Sequence, residues 1–391
     1  MSVGLSSRTT VQDAIEHLED FFGADPSGTM ARVARRAIRA ALRDLANASN
    51  WSYYYYQGRL TINAVYSTGT ITGDVTGGAN ENMVTLASGT WPTWAGSGCL
   101  RVANVVYNVD QRISSTILTL KSDLAPATDI AAGTTYKLYQ DSYILPEDFV
   151  ASGDGFYENS WGMMQFVRPD AWLRAHRYSD SGSSQPCLYT FMGDPRVPAR
   201  LALRLFPQPL TATTLDYVYK RRPKQPQIDE YVTGTATTTS GSASVTGGGG
   251  TAWSSGMVGS LMRFYDTALH SPTGWEGGYP AVLERTIRSV TSATALTLTD
   301  TADRTLSAVK YRISDPIDVE DGAMAEAFLR CAEYHAGLLR RYEKMPMLKQ
   351  AYVDALILAK EADSRSWASQ SPSSGAWLGR LADMPLGADQ P

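Results

Sequence analysis

Residues 30–45 have the sequence MARVARRAIRAALRDL, and this stretch is the starting point for predicting the fold. Apolar side chains recur in it every three or four positions, which is the period of an α-helix with one buried face. The opposite side carries Arg32, Arg36, Arg39 and Arg43. The stretch therefore predicts an amphipathic helix with a basic outer side.

Amphipathic helices are also predicted on either side of this one and near the far end of the chain. Thr9 and Gln12 have the spacing of a capping box, which predicts a helix start. The apolar stripe of that helix is Val11, Ile15, Leu18 and Phe22. Toward the other end, two more stripes comprise Met324, Phe328, Cys331, His335, Leu338 and Tyr342, then Leu348, Tyr352, Ala355 and Ala359. Four such helices, two from each end, predict one helical bundle built from both chain ends.

The middle of the chain is predicted to be β-structure that contains an internal repeat. Both copies have short Thr- and Val-rich strands separated by Gly and Ser turns, with a tryptophan at a similar place, Trp91 or Trp253. We predict an α+β fold in which each copy is an inserted small β-sandwich or barrel. The expected domains are 1–65 (N-terminal helices), 66–140 (first β domain), 141–230 (central β region), 231–316 (second β domain), 317–365 (C-terminal helices) and 366–391 (flexible tail).

Composition excludes several classes of protein. The 391 residues include 35 Lys and Arg against 39 Asp and Glu, a net charge of −4, so no global basic field attracts nucleic acid. The N-terminus lacks the apolar region of a signal peptide, and no apolar run is long enough to span a membrane. The three cysteines are far apart, as expected for a protein made in a reducing cytoplasm.

The search for catalytic chemistry predicts no catalytic residue, no metal ligand and no cofactor. Cys331 and His335 are four positions apart, a spacing that two metal ligands on one helix could have. They lie on an apolar helical stripe, however, and this favours packed core positions over a metal site. The acidic groups that could serve glycoside hydrolysis are Glu147, Asp148, Asp318, Glu320 and Asp321. The last three stand where a helix start favours acids in any case.

Two features suggest binding surfaces. The four arginines could face phosphates or a neighbouring subunit, or they could be a solvated face paired with acids of the preceding helix such as Glu16, Glu19 and Asp20. The segment after Arg365 is rich in Ser, Gly and Pro, with apolar residues spaced like docking anchors. Those residues are Trp367, Trp377, Leu378 and Leu381. A disordered end without function is the alternative.

Three segments, taken in order, resemble tailed-bacteriophage head-to-tail connector (adaptor) proteins, including the tail tubular protein A group. Residues 35–45 followed by Trp51 resemble their opening helix, and residues 141–149 (DSYILPEDF) resemble their entry to the central β region. Residues 203–223, with Pro207, Pro209 and a basic end, are similar to the hairpin that follows. The two repeated β segments depart from the smallest members of that group and look like insertions.

The resemblance implies a mechanical function at the head–tail junction of a virion. It implies a ring, a 12-mer, that binds the portal protein and a tail nozzle or tube protein, with tail fibres as a further candidate partner, while DNA passes through without sequence-specific binding. Under this resemblance, the residues expected to bind the portal are Trp367, Trp377, Leu378 and Leu381. The residues expected to contact another subunit or to line the DNA channel are Arg32, Arg36, Arg39 and Arg43. The alternatives are a tail-fibre attachment or glycan-binding virion protein and, with less support, a peptidoglycan-cleaving enzyme.

Overall fold

The computed structural model describes residues 8–23, 28–75, 81–103, 105–122, 126, 128–158, 162–178, 185–194, 197, 200–265 and 281–370. Both helices and β-sheets are present, which confirms the predicted α+β class. The helices are α1 (Val11–Phe22), α2 (Thr29–Ala48), α3 (Pro169–Tyr178), α4 (Ala323–Arg340) and α5 (Met345–Gln370). Within the described ranges, no helix is long and apolar enough to cross a membrane.

Strands occupy most of the chain between the terminal helices. The first eleven are β1 (Tyr55–Ile62), β2 (Ile71–Asp74), β3 (Met83–Leu86), β4 (Cys99–Val102), β5 (Val105–Arg112), β6 (Ile117–Leu120), β7 (Ile130–Thr134), β8 (Tyr136–Tyr139), β9 (Ser142–Ile144), β10 (Phe149–Glu158) and β11 (Gly162–Met163). The others are β12 (Gln165–Phe166), β13 (Leu188–Gly193), β14 (Leu201–Phe206), β15 (Thr213–Arg221), β16 (Thr235–Thr238), β17 (Ser244–Gly248), β18 (Leu261–Tyr265), β19 (Leu283–Ser292), β20 (Ala295–Leu298) and β21 (Leu306–Ser314).

The chain forms two compact units, of which one is made from both ends. Unit 1 comprises residues 1–54 and 223–391, and unit 2 comprises residues 55–222. Unit 1 contains α1, α2, α4, α5 and the strands β16 to β21. Unit 2 contains α3 and the strands β1 to β15.

In unit 1, helices from both ends contribute to one hydrophobic core. Small side chains let the helices approach closely, and Ala41 of α2 and Ala332 of α4 are fully buried there. Larger side chains fill the remaining space, among them Leu42 and Phe328. Burying a side chain of this size stabilises the fold by roughly 1.5–3 kcal/mol. Because Ala41 and Ala332 are almost 300 positions apart, this core holds together the two ends of the described chain.

Two details of the helices differ from the sequence prediction. The capping box is formed by Thr10 and Asp13, one position after the predicted Thr9 and Gln12, because Asp13 Oδ2 accepts from the Thr10 N–H at 2.9 Å. Leu338, which was predicted on a buried stripe, has 48% of its surface exposed. The α4 helix ends two residues later, at Arg340, and its last turn lies beyond most of the buried cluster.

Unit 1 also contains a closed barrel with the strand order β16-β17-β20-β19-β18-β21. Its interior is filled by alternate residues of each strand, as the period of two requires. Trp253 and Tyr311 lie in this interior, and Trp253 Nε1 donates to Tyr311 Oη at 2.9 Å. The barrel corresponds to the second predicted β domain.

Unit 2 repeats this topology in a seven-stranded sheet with the order β7-β2-β3-β6-β5-β4-β8. β7 and β8 are consecutive and together take the place that β21 has in the barrel of unit 1. Equivalent tyrosines also make equivalent contacts: Tyr136 Oη donates to Thr68 O, and Tyr311 Oη donates to Thr233 O. These matching orders and contacts indicate an internal duplication.

The rest of unit 2 is the central β region. It contains two four-stranded sheets, with the orders β1-β15-β10-β11 and β12-β13-β14-β9. They share one apolar core that is rich in aromatic side chains, including Phe149, Phe156 and Tyr217. Phe149 stacks on Tyr219 with ring centroids 5.6 Å apart.

Candidate interaction surfaces

The four arginines of α2 form a continuous exposed row, which we call the arginine stripe (Arg32, Arg36, Arg39 and Arg43). Their spacing places them on the side of α2 opposite its buried residues. The row extends over twelve residues, and its ends are about 16 Å apart at the rise of an α-helix. The local sequence explains this orientation, since alanines and aliphatic residues occupy every position between these arginines except that of Arg35.

The arginine stripe has no ion pair with any described residue. Glu16, one of the acids expected to pair with it, instead binds Arg312 at 2.9 Å. Arg35, which lies beside the stripe, pairs with Asp229. Because guanidinium groups bind carboxylates and phosphates well, the stripe is suited to an acidic partner. The expected pairing with acids of the preceding helix is not seen among the described residues.

The side of α5 that faces away from the core is a second exposed surface, and sequence reasoning did not identify it. We call it the α5 outer face (Gln350, Val353, Asp354, Ile357, Leu358 and Glu361). Ile357 and Leu358 have 50% and 62% of their surfaces exposed. The signal in the sequence is the apolar pair Ile357 and Leu358, which lies off the helical stripe of Leu348, Ala355 and Ala359.

The predicted portal-binding residues fall at or beyond the end of the described chain. Trp367 lies in the last turns of α5, and nothing is described of its side chain. Trp377, Leu378 and Leu381 lie outside the described residues. Their role stays a prediction.

Two segments that carry the family resemblance contact each other in unit 2. Asp141 Oδ2 accepts from Arg204 Nη1 at 3.0 Å, and both side chains are mostly buried. β9 pairs with β14 in antiparallel register, so that Ile144 lies opposite Ala202. At the other end of the first segment, Asp148 Oδ1 accepts from Tyr219 Oη at 3.1 Å. The 141–149 segment therefore packs against both strands of the 203–223 segment. The hairpin expected there does not form, because β14 and β15 pair with other strands and lie in different sheets.

The residues considered for metal or acid–base chemistry are engaged in structural contacts. The Cys331 thiol is buried with its Sγ 3.9 Å from Ala41 O, and His335 Nε2 lies 2.7 Å from Asp44 Oδ2. Burial raises the pKa of Cys331 to about 12, although a hydrogen bond from Tyr352 opposes the shift. In the described ranges, no group of three His, Cys, Asp or Glu side chains could hold a metal ion.

The acidic candidates have partners as well. Glu147 Oε2 accepts from Arg200 Nη2 at 2.9 Å. Asp318 accepts from Tyr53 Oη at 3.1 Å and from the Lys224 N–H at 2.6 Å. Glu147 and Asp318 are therefore held in structural contacts, and none of these bonds joins two candidate acids to each other.

No protein-family model matches the chain, and no curated protein matches it.

Proposed function

We propose that this chain is a structural head-to-tail adaptor of a tailed phage virion, which forms a ring under the portal protein, continues the DNA channel and anchors the tail. The observation that carries the proposal is the packing of the 141–149 segment against the two strands of the 203–223 segment. Those segments are separated in the sequence, yet the Asp141–Arg204 ion pair and the β9–β14 register join them. Two of the three motifs that suggested the family thus contact each other within unit 2, which supports the proposal.

The exposed faces of the helices give a second, independent support for the proposal. In this function, the four helices from the two chain ends act as a bundle that tiles the ring. A ring subunit needs outer faces that can bind its neighbours. The arginine stripe and the α5 outer face are exposed and chemically distinct, which suits contacts with two different surfaces.

The experiment is to measure the copy number of this chain relative to the portal protein in purified virions by quantitative mass spectrometry. An adaptor ring that matches the portal gives a ratio of one to one. A ratio of several to one would favour a fibre-attachment role instead, and absence from particles would indicate a non-structural role. Either of these results overturns the adaptor assignment.

A further inference from the structure

We infer that the α5 outer face of one copy binds the arginine stripe of a second copy. This inference rests on the proposed function, since it names the contact that would build the ring. Its evidence, however, comes from the two helix surfaces themselves and can be tested on the isolated protein.

The two surfaces have the same residue spacing. The arginine stripe occupies positions 32, 36, 39 and 43, and the centre of the α5 outer face occupies positions 350, 354, 357 and 361. Both sets advance by four, three and four residues, so each forms a row of about 16 Å on its helix. Two helices with matched rows can pack side by side along their whole contact length.

The charges on the two rows are complementary. Asp354 and Glu361 are exposed acids, seven residues apart, and Gln350 Nε2 donates to Asp354 Oδ1 at 2.8 Å, which helps to orient that carboxylate. Arg36 and Arg43 are likewise seven residues apart. The spacing lets two arginines of one copy meet two carboxylates of another, and guanidinium–carboxylate pairs are among the stronger polar contacts.

Apolar side chains provide the remaining driving force. Ile357 lies between the two acids in the row, Leu358 lies beside it, and both are at least half exposed. Arginine side chains have long aliphatic stems that cover apolar surface while their charged ends reach acids at its edge. The arginine stripe therefore suits an apolar surface bordered by carboxylates better than it suits a purely acidic one.

The two surfaces cannot meet within one molecule. Both α2 and α5 pack against α4, as Ala41 beside Cys331 and Tyr352 stacked on Tyr334 demonstrate. Each row lies on the side of its helix that is remote from this shared core. A contact between different surfaces of two copies is heterologous, and such contacts generate closed rings or open filaments.

Charge reversal tests the contact. The α2 variant Arg36→Glu with Arg43→Glu and the α5 variant Asp354→Arg with Glu361→Arg should each weaken self-association by about tenfold or more, because like charges then face each other. An equimolar mixture of the two variants should assemble again, because each surface of one variant complements a surface of the other. Sedimentation velocity over a range of protein concentrations provides the measurement.

The matched control for the α2 variant is Arg288→Glu with Arg304→Glu. It changes the net charge by the same amount and sign, but at exposed positions of the barrel. It should assemble like the unmodified chain. A chain that stays monomeric at every concentration, unchanged assembly in the two reversal variants, or failure of the mixture to recover would each overturn the inference. We would also measure DNA binding by both chains. Loss of DNA binding in the α2 variant without a change in its sedimentation would overturn the inference, because it would assign the arginine stripe to a polyanion.

Failure of the adaptor function gives a different pattern. In that case, the variants and their mixture behave as described, but the chain is not present at one copy per portal subunit in virions. Failure of the inferred contact alone leaves the virion ratio intact and removes only the response to charge reversal.

Discussion

Arg263 of β18 donates through Nη1 to both carboxylate oxygens of Asp13, at 2.7 and 2.8 Å. Asp13 is also the residue that closes the capping box of α1. Arg263 binds a second acid, Glu284 of β19, through Nε at 2.7 Å, and Glu284 is buried. Burial opposes the charged guanidinium, but the bonds and charges of Asp13 and Glu284 outweigh it and raise the pKa of Arg263. One arginine therefore joins the start of α1 to the barrel of unit 1.

Replacement of Arg263 by Met should destabilise unit 1 strongly. The substitution leaves Glu284 buried without its cation, and such an unpaired charge costs roughly 3–5 kcal/mol. Chemical denaturation followed by circular dichroism gives the free energy of unfolding. Arg304→Met is the control, because Arg304 pairs with Asp303 at an exposed site, where the loss is about 0–1 kcal/mol. Equal effects of the two substitutions would contradict the buried role of Arg263.

Glu320→Gln should stabilise the protein slightly at neutral pH. Burial by its surroundings and the charges of Asp363 and Asp321 raise the pKa of Glu320 above its usual 4.5. The folded state therefore favours the protonated acid, and this stabilisation is complete below the unfolded pKa and is lost as pH rises through the folded pKa. The neutral amide avoids that loss, so its melting temperature should exceed that of the original chain at pH 7 and match it below about pH 4.

Glu326→Gln is the matched control for that experiment. Glu326 accepts from Arg330 Nε at 2.8 Å, so neutralising it removes a favourable contact. It should leave the melting temperature at pH 7 unchanged or lower it. A stabilising effect in both variants would mean that general negative charge, not the position of Glu320, is responsible.

The cysteines should differ sharply in reactivity. Cys187 is exposed, whereas Cys331 is buried with a pKa raised to about 12. Because the thiolate is the nucleophile, iodoacetamide at pH 8 should label Cys187 quickly and Cys331 only after unfolding. Mass spectrometry of the labelled peptides measures both rates. Rapid labelling of Cys331 in the folded protein would contradict its position between α2 and α5.

The duplicated domains provide a natural pair of variants. Tyr311→Phe removes the acceptor of Trp253 Nε1 and the donor to Thr233 O, whereas Tyr136→Phe removes only the donor to Thr68 O. Each buried group that loses its partner costs about 1–3 kcal/mol. Hydrogen exchange within each domain should therefore increase more for Tyr311→Phe. Equal increases would mean that the Trp253 bond contributes little.

Removal of residues 366–391 should abolish particle assembly if the chain ends in portal-binding anchors. The deletion eliminates Trp367, Trp377, Leu378 and Leu381 together. The control deletion of residues 382–391 retains all four and should assemble normally. Counting infectious particles after complementation measures both. Infectious particles from the longer deletion would exclude docking through this segment.

Regular periodicity allowed the four terminal helices and the repeated β segments to be predicted, because each depends on neighbouring positions. Helix α3, within the predicted central β region, was not predicted. The stripe through Val11, Ile15 and Leu18 is buried, as its spacing predicts. The capping box was misplaced by one residue because Thr9 and Thr10 are adjacent and either can begin a helix. The local pattern distinguishes a helix from a strand, but it does not determine which of two adjacent threonines caps the helix.

Contacts between distant positions could not be predicted. Nothing near Arg263 in the sequence indicates that it meets Asp13, which is 250 positions away. The outward direction of the arginine stripe, in contrast, follows from its spacing alone. The α5 outer face was missed because an apolar pair such as Ile357 and Leu358 is ordinarily assigned to a core, and only the packing of α4 and α5 identifies the exposed side.

The insertion of unit 2 between the halves of unit 1 determines the order in which the protein can fold during synthesis. Helices α1 and α2 leave the ribosome first, but their core partner α4 begins 275 positions after α2 ends, at Ala323. At about 5–20 residues per second, the apolar side of α2 waits on the order of 14–55 s for its partner. Unit 2 can close in that interval, since β1 and β15 pair and bring its two ends together, with Tyr55 opposite Lys220. Unit 1 is then completed by α4 and α5, so a chain terminated before them would present α2 to chaperones and proteases.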